Sequence, residues 1–152
     1  MKFSDSMTSL PDVNLLLALV AAGHIHHSAA RHWFESRESH SVAVCRVTQM
    51  GLLRLLTNPR VLPSGTCSIE KAWNIVDEVL DDGRVFFESE PPGLDERWIE
   101  MMKHRSAGPG SWTDAYLAAF ARQRDFEMVT FDRGFNRWGE LALTVLSPLA
   151  EQ

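Results

Sequence analysis

Apolar positions follow two alternating rhythms along the chain, short unbroken runs and stripes spaced three and four apart. The first run, Leu10 to Val13, reads as a short buried strand that hands over to a helix near Asn14. Its apolar continuation to Val20 is too short to span a bilayer, which needs ~20 residues. Gly23 reads as the stop of that helix. Ser28 to Ser36 resumes a helical pattern, with Ala29, Ala30, Trp33 and Phe34 on one stripe. Ser41 to Val44 is a β-branched run that predicts a second strand. Arg46 to Leu56 predicts a helix with Val47, Met50, Leu52, Leu53 and Leu56 mostly on one side. Pro59 ends it by pushing Asn58 out of helical geometry. Ser68 opens the clearest helix, whose stripe is Ile69, Ala72, Trp73, Val76, Val79 and Leu80, and Asp81-Asp82-Gly83 closes it.

Val85-Phe86-Phe87 predicts a third strand, and Asp95 to Lys103 a helix with Trp98, Met101 and Met102 inward. Ser106 to Gly110, rich in Gly and Pro, predicts a flexible loop. A further helix starts at Ser111-Trp112-Thr113-Asp114 and runs to about Arg122. Glu127 to Thr130 and Ala142 to Leu146 predict the last two strands. Helices alternating with short apolar strands imply an α/β fold with a parallel sheet and right-handed crossovers.

Composition adds bounds. The 152 residues suggest one domain with room for a real core, and 45% hydrophobic with 23% charged residues is an ordinary globular balance. Residues 1–8 read as a flexible N-terminal extension without the basic-then-apolar order of a signal peptide, so the expected location is the cytoplasm, with no membrane association. Cys45 and Cys67 form no Cys-x-x-Cys pair and predict buried free thiols. The net charge of -5 argues against a generic charge-driven nucleic-acid binder. It leaves a nuclease open, because metal-binding carboxylates themselves add negative charge. His24, His26, His27 and His32 match no metal-ligand spacing and predict a polar loop with His32 on a solvated helix face.

Candidate chemistry lies in three acids. Asp12 and Asp132 each follow a buried strand, where open α/β sheets place their binding crevice, and Asp114 sits in the first turn of a helix, where the dipole favours a carboxylate. Each also has a structural explanation. Asp12 and Asn14 suit a helix cap, Ser111-x-x-Asp114 fits a capping box, and Asp132-Arg133-Gly134 is good turn chemistry. Three such acids in one small domain suggest a cation site, and hard oxygen ligands select Mg²⁺ or Mn²⁺. No Ser-His-Asp or Cys-His arrangement and no Gly-rich phosphate loop competes with this.

The chain resembles PIN-domain ribonucleases of the kind found as the toxin in VapBC toxin–antitoxin pairs. The resemblance rests on Leu10-Pro-Asp-Val-Asn-Leu-Leu16, Thr48-Gln-Met-Gly-Leu-Leu-Arg-Leu-Leu-Thr-Asn-Pro59, Thr113-Asp-Ala-Tyr-Leu-Ala-Ala119 and Val129-Thr-Phe-Asp-Arg-Gly-Phe135, in the family's order and across nearly the whole chain. It implies a single PIN-like domain over residues 1–152, a three-layer fold with a central, mainly parallel sheet flanked by helices. It puts Asp12, Asp114 and Asp132 in the family's catalytic acidic set, with Asp12 and Asp114 as metal ligands and Thr113 beside the second of them. Asn14 would orient the first carboxylate. The family's remaining acid, a Glu, falls on Gln49, a neutral amide and a poorer ligand for a hard cation. Arg54 matches a basic residue that contacts a phosphate or makes a surface ion pair.

The implied activity is Mg²⁺-dependent cleavage of RNA, with Mn²⁺ as a substitute, on structured RNA such as tRNA. A small antitoxin and a homodimer are the implied partners. The alternative is a PIN-like domain that binds RNA or a protein without cutting, and Gln49 keeps it open.

Overall fold

The computed structural model describes residues 7–103 and 105–148. Most of the expected N-terminal extension, residues 1–6, lies outside them. From Thr8 onward the chain is bound into the sheet, because the Thr8 carbonyl accepts from the Glu127 N–H at 2.8 Å.

Five short strands form one parallel sheet: β1 (Ser9–Pro11), β2 (Val42–Val44), β3 (Val85–Phe87), β4 (Glu127–Thr130) and β5 (Leu143–Val145). Their order across the sheet is β3-β2-β1-β4-β5. The helices are α1 (Val13–Val20), α2 (His27–Glu35), α3 (Arg46–Leu56), α4 (Ile69–Asp81), α5 (Leu94–Met102) and α6 (Ser111–Arg124), with a 3-10 helix over Arg133–Trp138. Successive strand residues point to opposite faces. Val42, Val44 and Val129 accordingly join a core with α1 to α4, whereas Ala43, Leu10 and Met128 join a second core with α5 and α6. The result is the expected three-layer arrangement.

The middle of helix α6 is apolar on every side, and Ala115 to Ala121 are all buried. Its run of alanines lets it lie close to the sheet and to α5. Gly51 does the same for the other layer. A Cβ there would stand 2.6 Å from Val13 Cγ2, so α3 reaches the first turn of α1 only because this position has no side chain.

Four local expectations need correction. Helix α1 ends at Val20 with Ala21 as its cap, two residues before Gly23, which faces open space. Val13 begins that helix and does not extend the strand. Helix α6 is capped by Gly110, in the left-handed region at φ 79°, and the Ser111 hydroxyl turns back to accept from the Gly108 N–H at 3.0 Å, so there is no Ser111-x-x-Asp114 box. Met50, Ile69 and Trp73 lie on their predicted stripes but are exposed, because those stripes extend beyond the surface their neighbours cover.

Candidate functional site

All strands of a parallel sheet end at one edge. The strand order reverses at the β1–β4 pair, where Pro11 lies opposite Val129. In an open α/β sheet that reversal opens the crevice. Asp12 is the first residue past β1, and Asp132 is the second past β4. Helix α6 leads into β4, so it must start at the same edge, and Asp114 lies in its first turn.

Asp12 is 5% exposed. Its Oδ1 caps α1 by accepting from the Leu15 N–H at 2.9 Å, and its Oδ2 accepts from the Thr130 hydroxyl at 2.6 Å. The cap reading and the site reading therefore apply to the same side chain. Burial pushes its carboxyl up to about 6; the two hydrogen bonds oppose that shift, and Asp114 and Asp132 add to it. Thr130 was not singled out from the sequence. Its hydroxyl donates to Asp12 and accepts from the Asp132 N–H at 2.9 Å, so one oxygen ties the two strand ends together. The only signal for it in the sequence is its place in Val129-Thr-Phe-Asp132.

Asp114 is half-buried, and desolvation raises its carboxyl pKa against the opposing Arg137 charge, with Asp132 adding to the rise. Its Oδ2 accepts from Arg137 Nη2 at 3.2 Å. Asp132 is exposed, and its Oδ1 accepts from the Gly134 N–H at 2.8 Å as the cap of the 3-10 helix. The structure thus brings the three acids within electrostatic reach of one another. Among the described residues no three His, Cys, Asp or Glu side chains close tightly enough to hold an ion by themselves. The donors are all hard carboxylate oxygens, and the acid with the most raised pKa is buried and short of positive charge. That chemistry fits a hard divalent cation that keeps water and takes further oxygens from a substrate.

The supporting candidates divide. Asn14 is exposed in the first turn of α1 and lines, with Asp12, Thr130, Phe131 and Asp132, a cavity of about 340 Å³. Thr113 is exposed one residue before Asp114. Gln49 is buried, but its side-chain oxygen accepts from Arg46 within the same helix, and no hydrogen bond joins it to the three acids among the described residues. Arg54 is exposed and makes no ion pair among the described residues. His32 is exposed as expected. His26 is not simply loop surface: it stacks on Phe131 at 4.5 Å between ring centres and lines the acidic cavity with His24 and Ile25. Burial pushes the Cys45 thiol up, away from thiolate chemistry. A groove of about 680 Å³ between the end of α1 and the α3–α4 connection is lined by no carboxylate. Its lining offers no acidic ligand for a divalent cation.

The PIN domain family profile matches residues 9–141. Ribonuclease VapC41 of Mycobacterium tuberculosis is 41% identical over 143 residues, covering 91% of this chain and 98% of the relative. Ribonuclease VapC38 of the same species is 34% identical, covering 83% of this chain and 86% of the relative. In fold the chain is similar to M. tuberculosis VapC20, described as a sarcin-ricin loop cleaving toxin, with a TM-score of 0.65 at 21% identity over 89% of this chain and 98% of that one. It is similar also to a VapBC2 structure from Rickettsia felis, solved on a promoter DNA fragment, with a TM-score of 0.66 at 14% identity over 93% of this chain and 100% of that one. A parallel five-stranded sheet with acids at its switch point, a family match over most of its length and two ribonuclease relatives above 30% identity together lead to one assignment: the chain belongs to the PIN-domain family, among the VapC ribonucleases.

Proposed function

We propose that this chain is an endoribonuclease toxin that cuts RNA with a divalent cation, Mg²⁺ or Mn²⁺, at Asp12, Asp114 and Asp132. The observation that carries the reading is the convergence of these acids at the β1–β4 switch point, with the pKa of Asp12 raised to about 6 by burial. Asp12 and Asp114 would hold the ion, which when bound supplies a polarised phosphate and an activated water. Thr130 fixes the Asp12 carboxylate and keeps it acidic by donating to Oδ2. Asp132, whose Oδ1 accepts from the Gly134 N–H, would hold the ion through a water or a second ion. Asn14 lies on the cavity wall, where its amide orients the substrate or the first carboxylate.

A small antitoxin is the partner we propose. The structural relatives include VapBC pairs, and the apolar groove adjoins the acidic cavity through His24 and Ile25, a continuous path for an extended segment ending in a basic side chain. An arginine entering the carboxylates would gain charge-assisted hydrogen bonds and compete with the cation. We also propose a homodimer through exposed apolar side chains such as Met50 of α3. Gln49 favours a second reading, a PIN-like domain that binds RNA or a protein partner without cutting, since it supplies no charge to the centre.

Incubation of purified protein with structured RNA, with Mg²⁺ or with EDTA, tests the proposal. Mg²⁺-dependent cleavage is expected, together with its loss in Asp12→Asn and Asp114→Asn at unchanged circular dichroism. Full activity in EDTA or in either variant would overturn it; binding without cleavage selects the second reading.

A further inference from the structure

The acidic centre already contains a cation of its own. Arg137 Nη2 donates to Asp114 Oδ2 at 3.2 Å, and Nη1 donates to the Gly134 carbonyl at 3.1 Å. Its guanidinium lies 4.7 Å from the centre of the Trp138 ring. Arg105 reaches the same ring at the same distance and donates to the Arg137 carbonyl, bracing the turn. Gly134 makes room for this arrangement. A Cβ there would stand 2.8 Å from Arg137 Nη1 and 3.0 Å from Asp132 Oδ1, so the guanidinium and the Asp132 carboxylate share the space that a side chain would take. Arg137 is therefore bonded to one acid of the centre and packed beside another, yet its side chain is still 42% exposed and faces solvent with unused donors.

A guanidinium in that position has two partners of matching geometry. One is the carboxylate it holds now. The other is a phosphate oxygen, which it can grip in the same planar fork. RNA delivered to the three acids must bring a phosphate to within reach of Asp114, and hence of Arg137. We propose that Arg137 contacts the RNA backbone in the cleft and that, before RNA arrives, it acts as an internal counter-ion that weakens cation binding at Asp114. This deepens the nuclease reading and rests on it. The Arg137–Asp114 pair lowers the net negative charge of the acidic centre. Transfer of the guanidinium to the phosphate leaves Asp114 free for the ion at the moment both are needed.

Two measurements on the full-length protein test this without relying on turnover. Anisotropy of a fluorescent RNA stem–loop in EDTA, over a series of salt concentrations, counts the phosphate contacts. Arg137→Ala should lower the salt slope by about 0.7–0.9, the release of one counterion, and Arg137→Lys should restore it. Calorimetric titration with Mn²⁺ in the absence of RNA reads the competition. Arg137→Ala should bind Mn²⁺ severalfold more tightly, whereas loss of a merely structural residue would leave affinity unchanged or lower it. Gly134→Ala keeps the arginine but displaces its guanidinium, and should move both readouts in the same direction by less; it stands in if Arg137→Ala fails to fold. Wild-type protein that binds and cleaves RNA while both variants keep its salt slope and Mn²⁺ affinity overturns this inference alone. Wild-type protein that neither binds nor cleaves RNA overturns the nuclease reading and this one with it.

Discussion

Thr130 and Asp12, 118 residues apart in the chain, are joined by a 2.6 Å hydrogen bond in which the hydroxyl donates to the carboxylate. The hydroxyl favours the charged form of an acid that burial pushes the other way. Its second bond is accepted from the Asp132 N–H, and the residue is fully buried. Thr130→Val keeps the shape and removes both bonds. It should cost about 1–3 kcal/mol by leaving the buried Asp12 Oδ2 and the part-buried Asp132 N–H without this partner, and it should shift the acid limb of the pH–rate profile upward. Thr130→Ser should restore the profile. Thermal melts and pH-dependent cleavage rates check both.

Metal-free protein should become less stable as pH rises through the range of the Asp12 titration. Its carboxyl has an ordinary value of 3.8 and a folded value of about 6. Between those values the folded state keeps a proton that the unfolded chain has released, so unfolding releases it and stability falls with rising pH. The effect is complete above about 6, is on the order of 3 kcal/mol, and is reinforced by the raised pKa of Asp114. Melting in EDTA should give a higher Tm near pH 5 than near pH 7.5. Asp12→Asn, which keeps an oxygen for the α1 cap, should flatten most of that difference. Cation affinity should run the opposite way and fall below pH 6, because the ligand must be ionised.

Gln49→Glu restores the family's acidic residue, and from the sequence it would be expected to tighten cation binding. The structure turns the Gln49 oxygen toward Arg46, whose guanidinium also lies 4.8 Å from the centre of the Phe87 ring. A glutamate there gains an ion pair with Arg46 in place of a ligand role. Mn²⁺ affinity and cleavage rate should therefore match wild type, with a slightly higher Tm. A clear gain in Mn²⁺ affinity by calorimetry would show that residue 49 faces the centre after all.

Gly51→Ala places a methyl group against Val13, the first residue of α1. The clash falls on a packed, β-branched side chain one residue from Asp12, so relief requires α1 and α3 to part. A loss of about 1–3 kcal/mol is expected, the usual range for overpacking a core. Cleavage should fall more than stability alone explains, because the Asp12 carboxylate is oriented by the same turn. Chemical denaturation alongside kinetics at a temperature well below the Tm separates the two effects.

The order of elements was legible in the sequence because each rests on a local rule. Strand β4 and helix α3 have the predicted boundaries, since β-branched runs, amphipathic spacing and the Asn58-Pro59 stop act within a few residues. The three acids were legible for the same reason. An Asp just past a buried strand, or in the first turn of a helix leading into one, must come to the shared edge of a parallel sheet whatever the details of packing. Tertiary structure decided what surrounds them. Periodicity marks which side of α4 is apolar, but only the neighbouring helices determine how far that side is covered, and Ile69 and Trp73 lie beyond their reach. The hydroxyl of Thr130 finds Asp12 through the β1–β4 register, and Arg137 finds Asp114 across the turn that Gly134 leaves open. Such pairings depend on the relative placement of segments distant in sequence, which no local pattern of residues encodes.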